Sequence, residues 1–426
     1  MHFLRSLRYR NYQLFFGGQL ISLTGTWMQQ IAQSWLVYRL TRSAALLGLV
    51  SFAGQIPVFL LAAIGGAVAD RVSRHRIVVW TQTSAMALAF ILAGLTLTGV
   101  IRVWHLFVLT TLLGIVNAFD IPARQAFMVD MVGREDLMNA IALNSSMVNG
   151  ARIVGPAIAG MVIAAVGEGW CFFLNGVSYV AVLIGLRLMR LEHVRGVTRS
   201  GRSAIADIAD GFRFVHRTAP VRALLVLLGV VSVTSMPYLV LMPVFADRIL
   251  HGGAAGLGLL TGASGVGALA GALSLAARRG FKGLGTWVAV STFGFGVALG
   301  LFAWSRSFWL SAALLVPVGA TMMVQMAASN TLIQAMVPDH LRGRVMALYS
   351  MMFMGMAPFG ALFAGWLADR IGAPITVAIG GTVSIVAAIA FRLRLPAIRS
   401  EARELILAQG LAGGDPSQEM TIQRGA

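Results

Sequence analysis

Apolar runs of about 20 residues, each long enough to cross a bilayer as a helix, recur along almost the whole chain. Short clusters of Arg, Gly, Pro and polar residues separate them. Cutting at those breaks predicts twelve helices, at 12–37, 45–68, 77–98, 104–124, 138–165, 170–188, 221–246, 255–277, 284–304, 308–334, 344–367 and 373–392. The stretches 138–188 and 344–392 each need a tight turn to hold two crossings. In the longest break, 189–220, Ile205, Ile208, Phe212 and Val215 recur at helical spacing opposite Asp207, Asp210 and Arg213. That pattern predicts a short amphipathic helix on the membrane surface or against the bundle. Beyond about 395 the chain becomes charged and then Gly-rich, the pattern of a poorly ordered tail. The expected organisation is all-α: a six-helix bundle over 1–188, a linker over 189–220, a second six-helix bundle over 221–394 and a cytoplasmic tail over 395–426.

Composition sharpens this picture. Of 426 residues, 58% are hydrophobic and only 12% charged, against about 25% charged in a soluble domain, so a soluble enzyme is excluded. The single cysteine, Cys171, cannot close an intrachain disulfide. Residues 1–11 are basic and polar and run into the first helix without a small-residue cleavage site, so that helix is expected to be retained. The formal charge of +17 is a matter of sides. With the N-terminus in the cytoplasm, 26 Lys and Arg fall inside and six outside, and Arg152 alone is left within a helix. This asymmetry follows the positive-inside rule and places both termini in the cytoplasm. The charge therefore reads as topology and attraction to membrane lipid, and no nucleic-acid partner is expected.

Sliding the chain on itself by 205 residues aligns Gly66 with Gly271, Gly155 with Gly360, Gly160 with Gly365, and Arg134 with Asp339. With 48 glycines in the chain the identities prove little alone. They agree, however, with a layout of six helices, a long loop and six helices, a known transporter plan with the pathway between two halves.

The loop between the second and third helices reads Gly66-Ala-Val-Ala-Asp70-Arg71-Val-Ser73-Arg74-His75-Arg76. The fifth helix carries Arg152-Ile-Val-Gly155-Pro156-Ala-Ile-Ala-Gly160, and loops after the fourth and tenth carry Asp120-Ile-Pro122-Ala-Arg124-Gln125 and Arg342-Gly343-Arg344. In these motifs, and across essentially all twelve helices, the chain resembles the major facilitator superfamily, and most of all its bacterial drug-efflux and enterobactin-exporter-like members. Ser73 stands where that loop usually has Gly, and the counterpart after the eighth helix has Leu275 in place of Asp. The resemblance implies two rocking six-helix bundles, with Gly66, Asp70, Arg71, Arg74, Arg76, Gly155, Pro156 and Gly160 as gating elements. It further implies a bacterial cytoplasmic membrane, a small-molecule cargo and proton exchange.

Individual residues suggest the chemistry. Arg152 lies about 14 residues, or roughly 21 Å, into its helix. A lipid-facing Arg there costs ~2.5–3.5 kcal/mol, so it is expected to face the interior and seek a carboxylate, a carbonyl or an anionic substrate group. Asp120 is the candidate proton carrier, because burial and a nearby Arg push its titration in opposite directions. Alternatively it pairs with Arg124 one turn away. Asp120 is expected near the cytoplasmic end of its helix, so a permanent pair with Arg152 is disfavoured. Gln29, Gln30 and Gln33 on the first helix, with Asn117, Asn149, Gln325 and Asn330, either line the pathway or tie helices together. Asp70 either latches a gate or merely sits in a basic loop. Methionines of the eleventh helix, among them Met351 and Met354, provide a soft apolar wall or pack into lipid.

Nothing resembles a catalytic cluster, a metal site or a phosphate-binding loop, so neither an enzyme nor a cofactor is expected. The reading is proton-coupled export of small amphiphilic or hydrophobic compounds by a monomer. The alternative is a facilitator or importer of lipid-like molecules such as lysophospholipids.

Overall fold

The computed structural model describes residues 5–133, 135–190, 204–278, 280–281 and 283–409. Its first bundle comprises α1 (Arg10–Thr41), α2 (Ala44–Arg71), α3 (Arg74–Leu97), α4 (Val103–Val132), α5 (Leu137–Val166) and α6 (Glu168–Leu188). A short α7 (Ala204–Arg217) leads to the second: α8 (Ala219–Thr234), α9 (Tyr238–Val244), α10 (Gly253–Ala276), α11 (Leu284–Trp304), α12 (Phe308–Met336), α13 (Asp339–Ser350), α14 (Ala357–Ile371) and α15 (Ala373–Ala408). One rod of the second bundle joins α8, α9 and a π-helical turn at Phe245–Ile249, and another joins α13, a π-helical turn at Met351–Gly355 and α14. The fold is thus the expected pair of six-rod bundles.

Among the described residues, eleven rods are long and apolar enough to cross a membrane, and the protein is a multi-pass membrane protein. The twelfth rod, α1, is the longest of its bundle, but its apolar content is diluted by Gln13, Gln19, Ser22, Thr24, Thr26, Gln29, Gln30, Gln33 and Ser34. Much of that polarity is satisfied by neighbouring helices.

The two tight turns fall on glycines in the left-handed region, Gly167 (φ 91°) and Gly372 (φ 89°). A side chain would strain the backbone at either. They are separated by the same 205-residue shift as the other repeat pairs. The matched glycines also pack alike. A Cβ on Gly155 would lie 2.6 Å from Trp27 Cβ of α1, and one on Gly360 would lie 2.5 Å from Val233 O of α8. Gly160 approaches Ala254 and Ala255 of α10, and Gly365 approaches Ala44 of α2. Each bundle therefore builds the same close approaches, one internal and one across to its partner. Gly66 and Gly271 do not share this symmetry: open space surrounds Gly66, while Gly271 packs on Ala320. Arg134 lies outside the described residues.

Three expectations need correction. The fourth helix does not end at 124 but runs on through Pro122 and Arg124 to Val132. The chain does not lose its structure near 395, because α15 continues to Ala408. There Ile398, Ala402, Leu405 and Ile406 pack on the core of the second bundle. In α7 the docked face is Gly211, Phe214 and Val215, with Thr218 buried just beyond its end, while Phe212 is exposed beside Arg213. Asp210 holds α7 to α13 through Arg344 at 2.9 Å. The side chains of Ile205, Asp207 and Ile208 lie outside the described residues.

The bundles meet along two seams, α5 with α10 and α2 with α14. The largest apolar core draws on both bundles, from Met28, Trp35 and Tyr38 to Tyr238, Phe245 and Phe302. It lies toward the end that the basic-residue count assigns to the outside. There Arg42 pairs with Asp247, and Asp369 accepts hydrogen bonds from Ser43 Oγ (2.7 Å) and the Ala44 amide (2.6 Å). At the opposite end each bundle has a core of its own, one around Tyr12, Phe15 and Phe127, the other around Leu224, Val288 and Ile333. The molecule is closed at one end and parted at the other.

Candidate functional site

A single stripe of α5 maps the opening between the bundles. Met138 and Ile141 are 75% and 42% exposed and Ser145 is exposed. Asn149 and Arg152 are half-buried, Pro156 is buried, and Ala159 and Ile163 are only 0% and 8% exposed. These positions follow 3- and 4-residue steps, so they share one face. On α1, Gln13 and Leu20 are exposed, Trp27 is half-buried, and Ile31 and Tyr38 are buried. Both faces run from open to sealed, and the change falls at Trp27 and Arg152. The central cavity thus ends in an apex at mid-helix.

Arg152 lies in the middle of α5, and its guanidinium sits over the Trp27 ring, 5.7 Å from the centroid. It forms no ion pair among the described residues. In the second bundle the Tyr238 and Ser264 hydroxyls hydrogen-bond each other at 2.9 Å.

Asp120 is buried on a separate face. Thr81 Oγ1 and Gln82 Nε2 of α3 donate to its Oδ1 at 2.7 and 2.9 Å, and Arg124 Nε lies 3.4 Å from Oδ2. Arg124 also donates to Gln19 of α1 at 3.0 Å. The local pairing alternative for Asp120 is therefore the one observed. The expected axial offset from Arg152 is not its cause. Because α4 extends to Val132, Asp120 stands twelve residues from that end, about 18 Å deep, close to the depth of Arg152. Orientation toward α3 keeps the two apart.

The amides divide. Gln29 is buried and accepts from Asn175 Nδ2 of α6 at 2.7 Å. Gln33 donates to Thr110 of α4. Gln30 is exposed between those two contacts. Asn117 is half-buried one turn before Asp120, and Asn149 donates to Ser145 O at 2.9 Å. In the second bundle Asn330 accepts from Gln334 at 2.6 Å near the parted end. Gln325 is buried, and neither of its amide atoms has a hydrogen-bond partner. The hydroxyl of Ser329, one turn on, is also unpartnered. These two occupy the repeat positions of Asp120 and Arg124, so the ionic network of the first bundle has only a neutral counterpart.

At the parted end, Asp70 lies in the last turn of α2 and is exposed, as are Arg71 and Arg76. Arg74 pairs with Asp130 at 2.9 Å. Sequence reasoning missed a neighbouring hub. Asp136 is buried and held by Arg5 (3.2 Å), Arg8 (2.7 Å) and the Tyr9 hydroxyl (2.9 Å), which docks the N-terminal turn on the start of α5. It also missed Trp27, Thr81 and Gln82, whose roles depend on which face each presents. A shallow groove of about 360 Å³, lined by Trp80, Thr81 and Phe119, lies on the flank of α3 and α4, away from the apex.

Comparison with known proteins gives a consistent picture. The chain is 27% identical over 378 residues to the staphyloferrin A transporter of Staphylococcus aureus, covering 87% of this chain and 93% of that one. It is 28% identical over 352 residues to the multidrug efflux pump Tap of Mycolicibacterium fortuitum, covering 80% and 85%. It is 25% identical over 357 residues to the enterobactin exporter EntS of Shigella boydii, covering 83% and 84%. Among solved structures, the nucleoside transporter NupG superposes with a TM-score of 0.69 at 14% identity, covering 90% of this chain and 98% of that one. A bacterial homologue of the iron transporter ferroportin in an inward-facing state gives 0.69 at 18% identity, covering 90% and 98%. The profile of transmembrane secretion effectors matches residues 3–414, and with the twelve-rod, two-bundle architecture this shows that the chain belongs to that family of the major facilitator superfamily.

Proposed function

We propose that the protein exports a small, partly hydrophobic compound by alternating access, in exchange for protons. The observation that carries this reading is the exposure gradient along α1 and α5, which describes a cavity open at one end and ending at Trp27 and Arg152. The parted end is the one rich in Arg, so the positive-inside rule makes it cytoplasmic, with both termini on that side of a bacterial cytoplasmic membrane. A compound from the cytoplasm would enter the cavity and leave after the bundles rock about their seams. Two of the relatives are, by name, an efflux pump and an exporter.

Asp120 is the proton carrier in this scheme. Protonation removes the charge that holds Arg124, and Arg124 in turn holds Gln19 of α1. A proton would thereby loosen the contact between α4 and the helix that lines the cavity. Asp70 supports a latch for the opposite state. A carboxylate in the last turn of a helix opposes the helix dipole, and in the open form it gains no ion pair among the described residues. Closing the cytoplasmic end would bring it a partner.

The test is efflux from vesicles in which the parted end faces a dye-loaded lumen, with and without an imposed pH gradient. Export that accelerates with the gradient supports the proposal. Saturable uptake that ignores the gradient, with no export, defeats it.

A further inference from the structure

The charge inventory of the cavity does not balance. Between Asp247 and Asp339 the sequence contains no Asp or Glu, so the spans of the second bundle from α10 to α12 offer no carboxylate. In the first bundle, α1, α3 and α5 contain none either, and Asp120 is taken up by Thr81, Gln82 and Arg124. Arg152 is left as a cation at the apex without an acidic partner among the described residues. Arginine cannot discharge itself by losing a proton. Its contact with Trp27, near the outer limit for a cation–π pair, is worth about 0.5–1 kcal/mol, against ~2.5–3.5 kcal/mol for an arginine at mid-membrane. The ring alone does not stabilise it there. An anion would offset the difference through the paired donors of the guanidinium.

We infer that Arg152, backed by the Trp27 ring, is the subsite for an anionic oxygen group, of the carboxylate kind, on an amphiphilic cargo. The inference rests on the export reading for its biological sense and on the apex geometry for its chemistry. On α1, Trp27 and the exposed Leu20 two turns toward the opening give the cavity an apolar face, which suits a cargo with an apolar body. The position also couples binding to movement. A Cβ on Gly265 of α10 would lie 3.3 Å from the Arg152 carbonyl oxygen, so the residue that takes the anion is fixed at the seam where the bundles turn against each other.

The experiment uses the full chain in zwitterionic nanodiscs without any gradient, titrated with two dyes of similar size, carboxyfluorescein as the anion and rhodamine 123 as the cation. Fluorescence anisotropy should show tighter binding of the anion. Arg152→Gln should weaken that binding about tenfold or more, while Arg152→Lys retains part of it and binding of the cation does not weaken. Monodisperse elution of each variant controls for folding. Equal or better binding of rhodamine 123 by the unmutated protein, or an unchanged carboxyfluorescein affinity in Arg152→Gln, overturns the subsite. Efflux in vesicles separates the two readings. Export of the cation without anion preference removes the subsite and leaves export standing, whereas anion binding without vectorial movement does the reverse.

Discussion

Arg152 and Asp120 stand at similar depth but make different contacts, and substitutions should separate the roles proposed for them. Arg152→Ala removes a half-buried cation whose ring contact, among the described residues, is Trp27. Folding should be largely retained and transport lost, as read by elution profile and vesicle efflux; normal transport would reduce Arg152 to a bystander. Asp120→Asn keeps an oxygen for Thr81 and Gln82 but abolishes the charge facing Arg124. Cargo binding should survive while proton movement stops, and undiminished proton flux would remove Asp120 from the coupling scheme. Both residues are legible in the sequence because a charge inside an apolar run is conspicuous. Their partners are not. Thr81 and Gln82 are ordinary polar residues until α3 is turned to face α4, and Trp27 looks like any aromatic of a membrane helix. The depth of Asp120 is hidden because Pro122 and Arg124 resemble a helix end, whereas α4 continues another eight residues past Arg124.

The seams and the last helix show what elements add to single residues. On Gly258 of α10 a Cβ would stand 2.5 Å from Pro156 O and 2.9 Å from Gly160 Cα of α5, both backbone atoms with little freedom to yield. Gly258→Leu should therefore separate α5 from α10 at a cost of about 1–3 kcal/mol. Thermal unfolding in detergent should shift downward, and an unchanged melting temperature would show that the seam is loose. The repeat makes such a seam legible, since Gly160 and Gly365 match in sequence and each packs across to the other bundle. The extension of α15 is not legible, because Pro396 and the charges after it imitate a tail. The signal lies in Ile398, Ala402, Leu405 and Ile406, whose helical spacing caps the second bundle beside Val215 of α7. Ending the chain after 394 should lower thermal stability relative to ending it after 409. Equal melting of the two truncations would mean that the cap contributes nothing.

For the whole molecule, the asymmetry between its ends determines which face exchanges solute. The closed end depends on the core shared by both bundles and on two polar clasps, Arg42 with Asp247 and Asp369 with the start of α2. The parted end has two separate cores and no comparable clasp among the described residues. The only cysteine, Cys171, is buried, so a membrane-impermeant maleimide should leave the unmutated protein almost unlabelled. In that background Ser145→Cys, on the open stretch of the α5 stripe, should label quickly, and Ile163→Cys, on its sealed stretch, should label slowly. Labelling at Ser145→Cys should come from the Arg-rich side. Asp247→Asn then weakens one clasp. Arg42 is exposed and such surface pairs contribute little, so the closed population should fall only modestly. Ile163→Cys labelling should rise accordingly while Ser145→Cys labelling slows. If Ile163→Cys reacts as fast as Ser145→Cys before the clasp is touched, the seal at Trp27 and Arg152 does not close the pathway, and the alternating-access reading loses its structural basis.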